Sequence, residues 1–228
     1  MVIYQGGMVF CWGEQSQGGA YLLRMQVNAP LRVKFGRFQQ GQPIAVPTGD
    51  YLYVGSAMAQ KGATSLARRL LRHASRSDSQ NPHLIRQQML SVFLKIGLGS
   101  TPLHPPTGKK LRWHVDYLLN EEAVELTAVY IIRVKKRNTE GHGEATEAHR
   151  EGKKSKKSAQ SVAKNKDRQL ETAVAHYLLT LPQITPLAPG LGSTDDPGGT
   201  HLLRVTAVPH WWQTFPEKIT SFLRGIAV

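Results

Sequence analysis

The stretch from Gly49 to Arg76 constrains the fold most, because it joins a strand to a charged helix through glycine. The run from Asp50 to Val54 is rich in aromatic and branched residues, which predicts a short strand. After Gly55, apolar and basic residues recur with a helical period from Ser65 to His73. The helix is therefore expected to turn one face to a core and to present a cationic stripe to a partner. The apolar face holds Leu66, Ala67, Leu70, Leu71 and Ala74, and the stripe holds Arg69, Arg72, His73 and Arg76.

The net charge of +13 is concentrated in two regions of the chain. Residues 133–168 contain twelve Lys or Arg and five Asp or Glu, and residues 61–95 contain seven Lys or Arg and one Asp. Charge confined in this way favours a surface that binds a polyanion, since neutralised phosphates release counterions. The alternative is a solvated helix face combined with a disordered basic segment.

Composition limits the class of protein. A chain of 228 residues allows one domain with additions, or at most two small domains. The single cysteine, Cys11, excludes an intramolecular disulfide and fits a reducing compartment. No apolar run approaches the roughly 20 residues of a membrane helix, and no secretion signal is recognisable. We expect a cytoplasmic protein that does not interact with membranes.

Patterning along the chain predicts an α/β (α+β) fold with a small central antiparallel sheet flanked by helices. The first eighteen residues show no sustained period and are interpreted as a loose N-terminal arm. Low-complexity residues 135–166 are too polar to form a core and are expected to be a mobile basic loop. The predicted strands are 21–27, 31–35, 51–54, 124–134 and an edge strand at 201–205, and the predicted helices are 65–73, 85–96, 170–181 and one in the C-terminal tail.

Several short motifs in this order resemble the GIY-YIG nuclease superfamily. They are Gly19-Ala20-Tyr21, the run from Tyr53 to Ala57, and the run from Arg69 to His73. The run from Trp113 to Leu118, together with 192–196 and 201–202, is similar to a branch known as domain of unknown function 123. Ala20 replaces the isoleucine of the superfamily name, and inserts lengthen the spacing between the motifs.

The resemblance implies one principal domain over 19–205, with inserts at about 78–110 and 135–166 and a C-terminal extension at 206–228. The helix predicted near residue 85 falls in the first insert. Residues 1–18 would precede the domain as an arm.

The resemblance also implies a role for each matching residue in phosphodiester hydrolysis. Tyr21 would activate or position a water molecule, and Tyr53 would orient it or bind the phosphate. Arg69 would hold the scissile phosphate through its forked donors, with His73 one helical turn further on. Glu171 would ligate one divalent cation, Mg²⁺ or Mn²⁺, which polarises the phosphate.

His114 and Asp116 are further candidates, because the branch has a histidine and an aspartate in this motif. If the segment is extended, both side chains lie on the same side of it. Asp195, Asp196 and His201 could add an oxygen and nitrogen cluster.

Each assignment has a plainer alternative. Tyr21 and Tyr53 could be ordinary strand aromatics, Arg69 and His73 could belong to a solvated basic face, and Glu171 could be a surface helix residue. The basic residues of this helix region also predict nucleic-acid contacts, carried by Arg68, Arg72 and Arg76.

Three functions are compatible with these features. The first is a divalent-metal-dependent nuclease that acts on DNA, or less readily on RNA. The second is a nucleic-acid-binding module of the same fold that cleaves nothing. The third is a basic scaffold protein whose residues 135–166 bind an acidic protein.

Overall fold

The computed structural model describes residues 2–13, 16–78, 80–100, 102–134, 169–192 and 199–226. Within these residues the chain forms nine strands and five α-helices. The strands are β1 (Val2–Gly6), β2 (Val9–Trp12), β3 (Gly19–Val27), β4 (Leu31–Val33), β5 (Ile44–Val46), β6 (Gly49–Ala57), β7 (Val124–Arg133), β8 (Ile184–Pro186) and β9 (Leu202–Val205). The helices are α1 (Leu66–His73), α2 (Ile85–Lys95), α3 (His114–Leu119), α4 (169–179) and α5 (Pro209–Gly225).

Seven strands form the central sheet in the order β1-β2-β7-β3-β6-β9-β8. All neighbouring pairs are antiparallel except β2 and β7, which run parallel. Helices cover both faces, so the predicted fold class is confirmed. The sheet is larger than expected and is mixed in direction.

The two faces of the sheet bury two separate cores. On β3, Tyr21, Leu23 and Met25 face the core formed with α1, α2 and α3. Ala20 and Leu22 face the second core, which α4 and α5 complete. Because both faces are covered there, the first five residues of β3 are all buried, and apolar and polar residues alternate only from Leu23 to Val27.

The N-terminal segment is part of the sheet, so the expectation of a loose arm is wrong. β1 and β2 form a hairpin, and β2 pairs with β7 from Val9 opposite Val129 to Trp12 opposite Ile132. These strands are only five and four residues long, and glycines flank them. Such short runs give no clear period on their own, and the partner of β2 lies far along the chain.

Two other strand assignments also need correction. The strand predicted at 31–35 does not join the central sheet, because β4 pairs only with β5 in a separate two-stranded sheet. β9 is not an edge strand, since β8 pairs on its outer side. The segment that carries His114 and Asp116 is the helix α3, so the condition of an extended segment is not met.

The remaining predicted elements are confirmed as helices α1, α2, α4 and α5 and as strands β3, β6 and β7. The predicted basic loop 135–166 lies outside the described residues. In the described part of the chain, no helix has both the length and the apolar character that a membrane crossing requires.

Candidate active site

The register of β3 and β6 builds the floor of the candidate site. Tyr21 lies opposite Gly55, and a Cβ atom added at Gly55 would come within 2.6 Å of the Tyr21 hydroxyl oxygen. The missing side chain therefore allows the Tyr21 ring to lie across β6. Tyr53 belongs to the same core, and the two tyrosine rings lie 6.4 Å apart between centroids.

α1 brings His73 against this floor. The apolar side of the helix packs on the sheet, and His73, in its last turn, is fully buried. Nε2 of His73 lies 2.9 Å from the Tyr21 hydroxyl oxygen. His73 is thus a buried partner of Tyr21, which excludes the alternative of a solvated face for this residue.

Asp116, on α3, is also fully buried and faces the side of the His73 ring that is turned away from Tyr21. One carboxylate oxygen, Oδ1, is 3.3 Å from Nδ1 of His73 and 3.6 Å from Nζ of Lys109. The other, Oδ2, accepts hydrogen bonds from Nη2 of Arg72 at 2.8 Å and from the backbone N–H groups of Arg112 and Trp113. One carboxylate therefore faces donors from α1 and from the loop that precedes α3.

The buried environment determines the charge of each group. Burial acts to raise the pKa of Asp116, but His73, Lys109 and the backbone donor of Trp113 outweigh it and hold that pKa well below its usual range. Burial lowers the pKa of His73 to about 4, although Asp116 opposes the shift. Burial also raises the pKa of Tyr21, with Arg69 acting in the opposite direction. At neutral pH the carboxylate is ionised, the imidazole is neutral and the phenol keeps its proton.

These charges assign the tautomer of His73. Oδ1 of Asp116 can only accept, so Nδ1 of His73 must carry the proton that faces it. The contact at 3.3 Å lacks the geometry of a hydrogen bond, and neither Nδ1 of His73 nor Oδ1 of Asp116 finds another hydrogen-bond partner among the described residues. Nε2 then has a free lone pair and accepts the Tyr21 hydroxyl proton. The arrangement Asp116–His73–Tyr21 is a path along which a proton can leave the phenol.

Arg69 forms the more open wall of the site. Its guanidinium carbon lies 3.9 Å from the centre of the Trp113 ring, and the guanidinium groups of Arg72 and Arg112 also lie near that ring. Nε of Arg69 is buried and finds no hydrogen-bond partner among the described residues. A cation held flat on an aromatic face near Tyr21, with its Nε donor unpaired, is suited to receive an anion.

A second group of contacts links Tyr53 to α3. The Tyr53 hydroxyl donates to the carbonyl oxygen of Gly192 at 3.3 Å, and the N–H of Gly192 donates to Nδ1 of His114 at 3.1 Å. The His114 ring meets the edge of Phe38 at 5.4 Å between centroids. His114 therefore supports the loop beside Tyr53.

Glu171 approaches from the opposite face of the sheet. α4 packs on the second core, and the Glu171 carboxylate accepts a hydrogen bond from the Ser56 hydroxyl and lies 3.0 Å from Nδ1 of His201. Its side chain is 17% exposed, so Glu171 is not an ordinary surface residue. Burial raises the pKa of Tyr53 as it does that of Tyr21, and the Glu171 carboxylate lies close enough to add to both shifts.

Glu171 offers the oxygen donors that a hard divalent cation requires. Mg²⁺ is commonly held by one or two carboxylates together with water and substrate phosphate oxygens. In the described residues no group of three His, Cys, Asp or Glu side chains converges, so a cation here would depend on such further oxygens. Asp195 and Asp196 lie outside the described residues.

The three arginines predicted to contact nucleic acid differ in their surroundings. Arg68 is exposed, as predicted. Arg72 donates hydrogen bonds to Asp116 and to the carbonyl of Lys110. Arg76 donates to Glu125 and to the carbonyls of Asn81 and Val124. Two members of the cationic stripe are thus neutralised inside the protein.

Sequence reasoning missed Lys109 and Trp113 as parts of the site. Lys109 is buried because its ammonium donates to the carbonyl of Ser75 and faces Asp116, and burial lowers its pKa to about 8. It follows a Pro- and Gly-rich loop, where nothing in the sequence indicates burial. Trp113 stood inside a motif that was recognised, but only the structure shows the arginines stacked on it.

The comparisons with known proteins support the family resemblance of the chain. No curated protein and no solved structure matched the chain. Residues 20–157 match the family described as "Domain of unknown function DUF123". The matched span is more than half of the chain and includes Tyr21, Tyr53, Arg69, His73 and Asp116, but it stops before Glu171. The chain therefore belongs to the DUF123 family.

Proposed function

We propose that this protein is a divalent-metal-dependent nuclease that hydrolyses phosphodiester bonds in DNA. The observation that carries the proposal is the buried path Asp116–His73–Tyr21, which ends beside the unsatisfied guanidinium of Arg69. Similarity of the motifs to the GIY-YIG superfamily supports the same chemistry. The lone Cys11, a buried free thiol, fits a cytoplasmic setting.

In the proposed reaction, a water oxygen attacks phosphorus while the bond to the leaving oxygen breaks. The leaving oxygen keeps the bonding electron pair and takes a proton from solvent. The water proton passes to the Tyr21 oxygen as the Tyr21 proton passes to Nε2 of His73, and the Asp116 carboxylate stabilises the imidazolium that results. Arg69 holds the phosphate and compensates the charge that develops on it. A cation bound to Glu171 would supply further polarisation of the phosphate.

The low exposure of the tyrosines favours a second candidate, a DNA-binding module without activity. Tyr21 is 1% exposed and Tyr53 is 4% exposed. A phosphate could then bind at Arg69 and Trp113 without reaching either hydroxyl. Such a module would bind DNA with strong salt dependence and cleave nothing.

Incubation with labelled single-stranded, duplex and branched DNA, and with RNA, in Mg²⁺, Mn²⁺ or chelator distinguishes the two candidates. The nuclease proposal predicts metal-dependent cleavage that falls about 100-fold or more in Tyr21→Phe, as expected for loss of a general base, and that is also lost in Glu171→Ala. Tyr51→Phe is the matched control, since it removes another core phenol, whose hydroxyl donates to the Pro47 carbonyl.

Asp116→Asn tests the proton path separately. It should lower the cleavage rate and change its dependence on pH, while leaving the affinity for uncleaved DNA in chelator within about threefold, because the path moves a proton and does not hold the phosphate. Cleavage that survives chelator or Tyr21→Phe contradicts the mechanism. Binding without cleavage of any substrate selects the binding module.

A further inference from the structure

The two-stranded sheet outside the central sheet is an exposed cationic surface. We name residues 29–48 the basic ribbon; it contains β4, β5 and the turn between them. Arg32, Lys34 and Arg37 are all exposed, and the ribbon contains no Asp or Glu. It therefore has a local charge of +3, although it lies outside the two regions in which the sequence concentrates its net charge.

The alternation of buried and exposed side chains along the ribbon shows that its charged side chains are directed to solvent. Val33 and Phe35 are buried in the core on the α1 face of the sheet. Successive side chains of an extended segment point to opposite sides, so Arg32 and Lys34 are directed to solvent. Arg32 makes one contact, at 3.4 Å from Nη2 to the carbonyl oxygen of Pro43, which leaves its remaining donors available.

A continuous series of contacts places the basic ribbon beside the candidate active site. Phe38 meets the His114 ring, His114 accepts from Gly192, and the carbonyl of Gly192 accepts from Tyr53. Gly36 also lies against α3, since a Cβ atom there would come within 3.0 Å of the Tyr117 hydroxyl. The ribbon is therefore packed on the element that carries Asp116.

Pairing within the protein reduces the number of α1 arginines available to phosphate, and the basic ribbon supplies other cations. Arg72 and Arg76 are paired with Asp116 and Glu125, so they cannot neutralise the phosphates of a long substrate. Among the arginines of α1, this leaves the exposed Arg68 and Arg69 in the wall of the site to meet phosphate. The ribbon would add three exposed cations on the side of the site where Phe38 meets His114.

We propose that the basic ribbon binds the phosphate backbone of DNA next to the candidate active site. The proposal depends on the proposed function for the identity of the polyanion. An acidic protein is a poorer partner, because stable protein interfaces need a desolvated apolar or aromatic centre. Of the exposed large hydrophobic side chains in the described part of the chain, none belongs to the ribbon.

The test is a binding titration in chelator, where no cleavage can interfere. Duplex DNA and duplex RNA of the same length are titrated with the full chain over a range of salt concentrations. The ribbon variant carries Arg32→Gln, Lys34→Gln and Arg37→Gln. The control variant carries Lys95→Gln, Lys218→Gln and Arg224→Gln, which removes the same charge from α2 and from α5 on the other face.

We expect the ribbon variant to bind DNA about tenfold or more weakly at low salt. If each cation meets one phosphate, the slope of log K against log salt should fall in magnitude by about 2.7. The control variant should keep the wild-type affinity and slope. Thermal unfolding of both variants should match the wild type, because all six side chains are at the surface or partly exposed.

Equal losses in the two triple variants would show a general charge effect and overturn the proposal, as would an unchanged slope in the ribbon variant. A loss confined to RNA would overturn DNA as the partner. If the protein cleaves no substrate but the ribbon variant binds DNA more weakly than the wild type, the proposed DNA contact of the basic ribbon is supported. In that case only the proposed nuclease activity is rejected. A wild-type chain that binds no DNA overturns both.

Discussion

At the scale of single residues, Asp116 has the largest consequences. Its carboxylate is fully buried and faces Arg72, His73 and Lys109. Removing one member of such a cluster is costly because it leaves opposite charges buried without a partner. The cluster holds α1 and α3 in a fixed relation and thereby orients His73 toward Tyr21.

The buried His73 should make folding stability depend on pH. Its folded pKa is about 4, below the ordinary 6.5, so between these values the unfolded chain binds a proton that the folded chain refuses. Stability is therefore complete above pH 6.5 and falls as the pH drops toward 4. Since one pKa unit corresponds to 1.36 kcal/mol, the loss over this window is about 3 kcal/mol.

Urea unfolding of wild type and His73→Gln at pH 7 and pH 4 measures this effect. The variant should lose less free energy of unfolding on acidification than the wild type, by about 3 kcal/mol. His210→Gln, at an exposed position on α5, is the matched control and should behave as the wild type. Identical pH dependence in all three proteins would show that folding does not lower the pKa of His73.

At the scale of elements, the pairing of β3 with β6 depends on one glycine. Gly55→Ala should destabilise the fold by about 1–3 kcal/mol, as expected for overpacking in a core, because the new methyl group would overlap the Tyr21 ring. Gly108→Ala is the control, since a Cβ atom there meets nothing within 4 Å. Thermal unfolding measures both, and equal melting temperatures would contradict the close approach of Tyr21 to β6.

The elements also show what the sequence could predict. β3, β6, β7 and the helix α1 were predictable because each is long enough to display a period or a dense run of branched residues. The order of the motifs along the chain was enough to assign Tyr21, Tyr53 and His73 to one site. The hairpin β1–β2 and strand β8 are too short for such signals. The position of Asp116 beside His73 depends on α3, whose six residues are also too few to show a period.

At the scale of the whole molecule, one sheet separates two cores that must form together. Phe215 on α5 is fully buried in the second core, against Tyr130 and both Trp211 and Trp212. Phe215→Ala should cost about 3–5 kcal/mol, the usual result of truncating a buried phenylalanine. Phe222→Ala, on the same helix but only partly buried, is the matched control and should cost clearly less.

Urea unfolding followed by tryptophan fluorescence and by far-ultraviolet circular dichroism reads both cores at once. The two signals should change in one coincident transition in the wild type and in both variants, because the sheet is shared. Two separated transitions would show that the α5 face unfolds on its own.

The parallel pairing of β2 with β7 also affects synthesis on the ribosome. Val9 is bound opposite Val129, so 120 residues of chain must be made before the partner strand exists. At a synthesis rate of 5–20 residues per second, the edge of β2 that pairs with β7 stays without its partner for roughly 6–24 s. An apolar strand that waits this long is a natural binding site for chaperones that act on nascent chains.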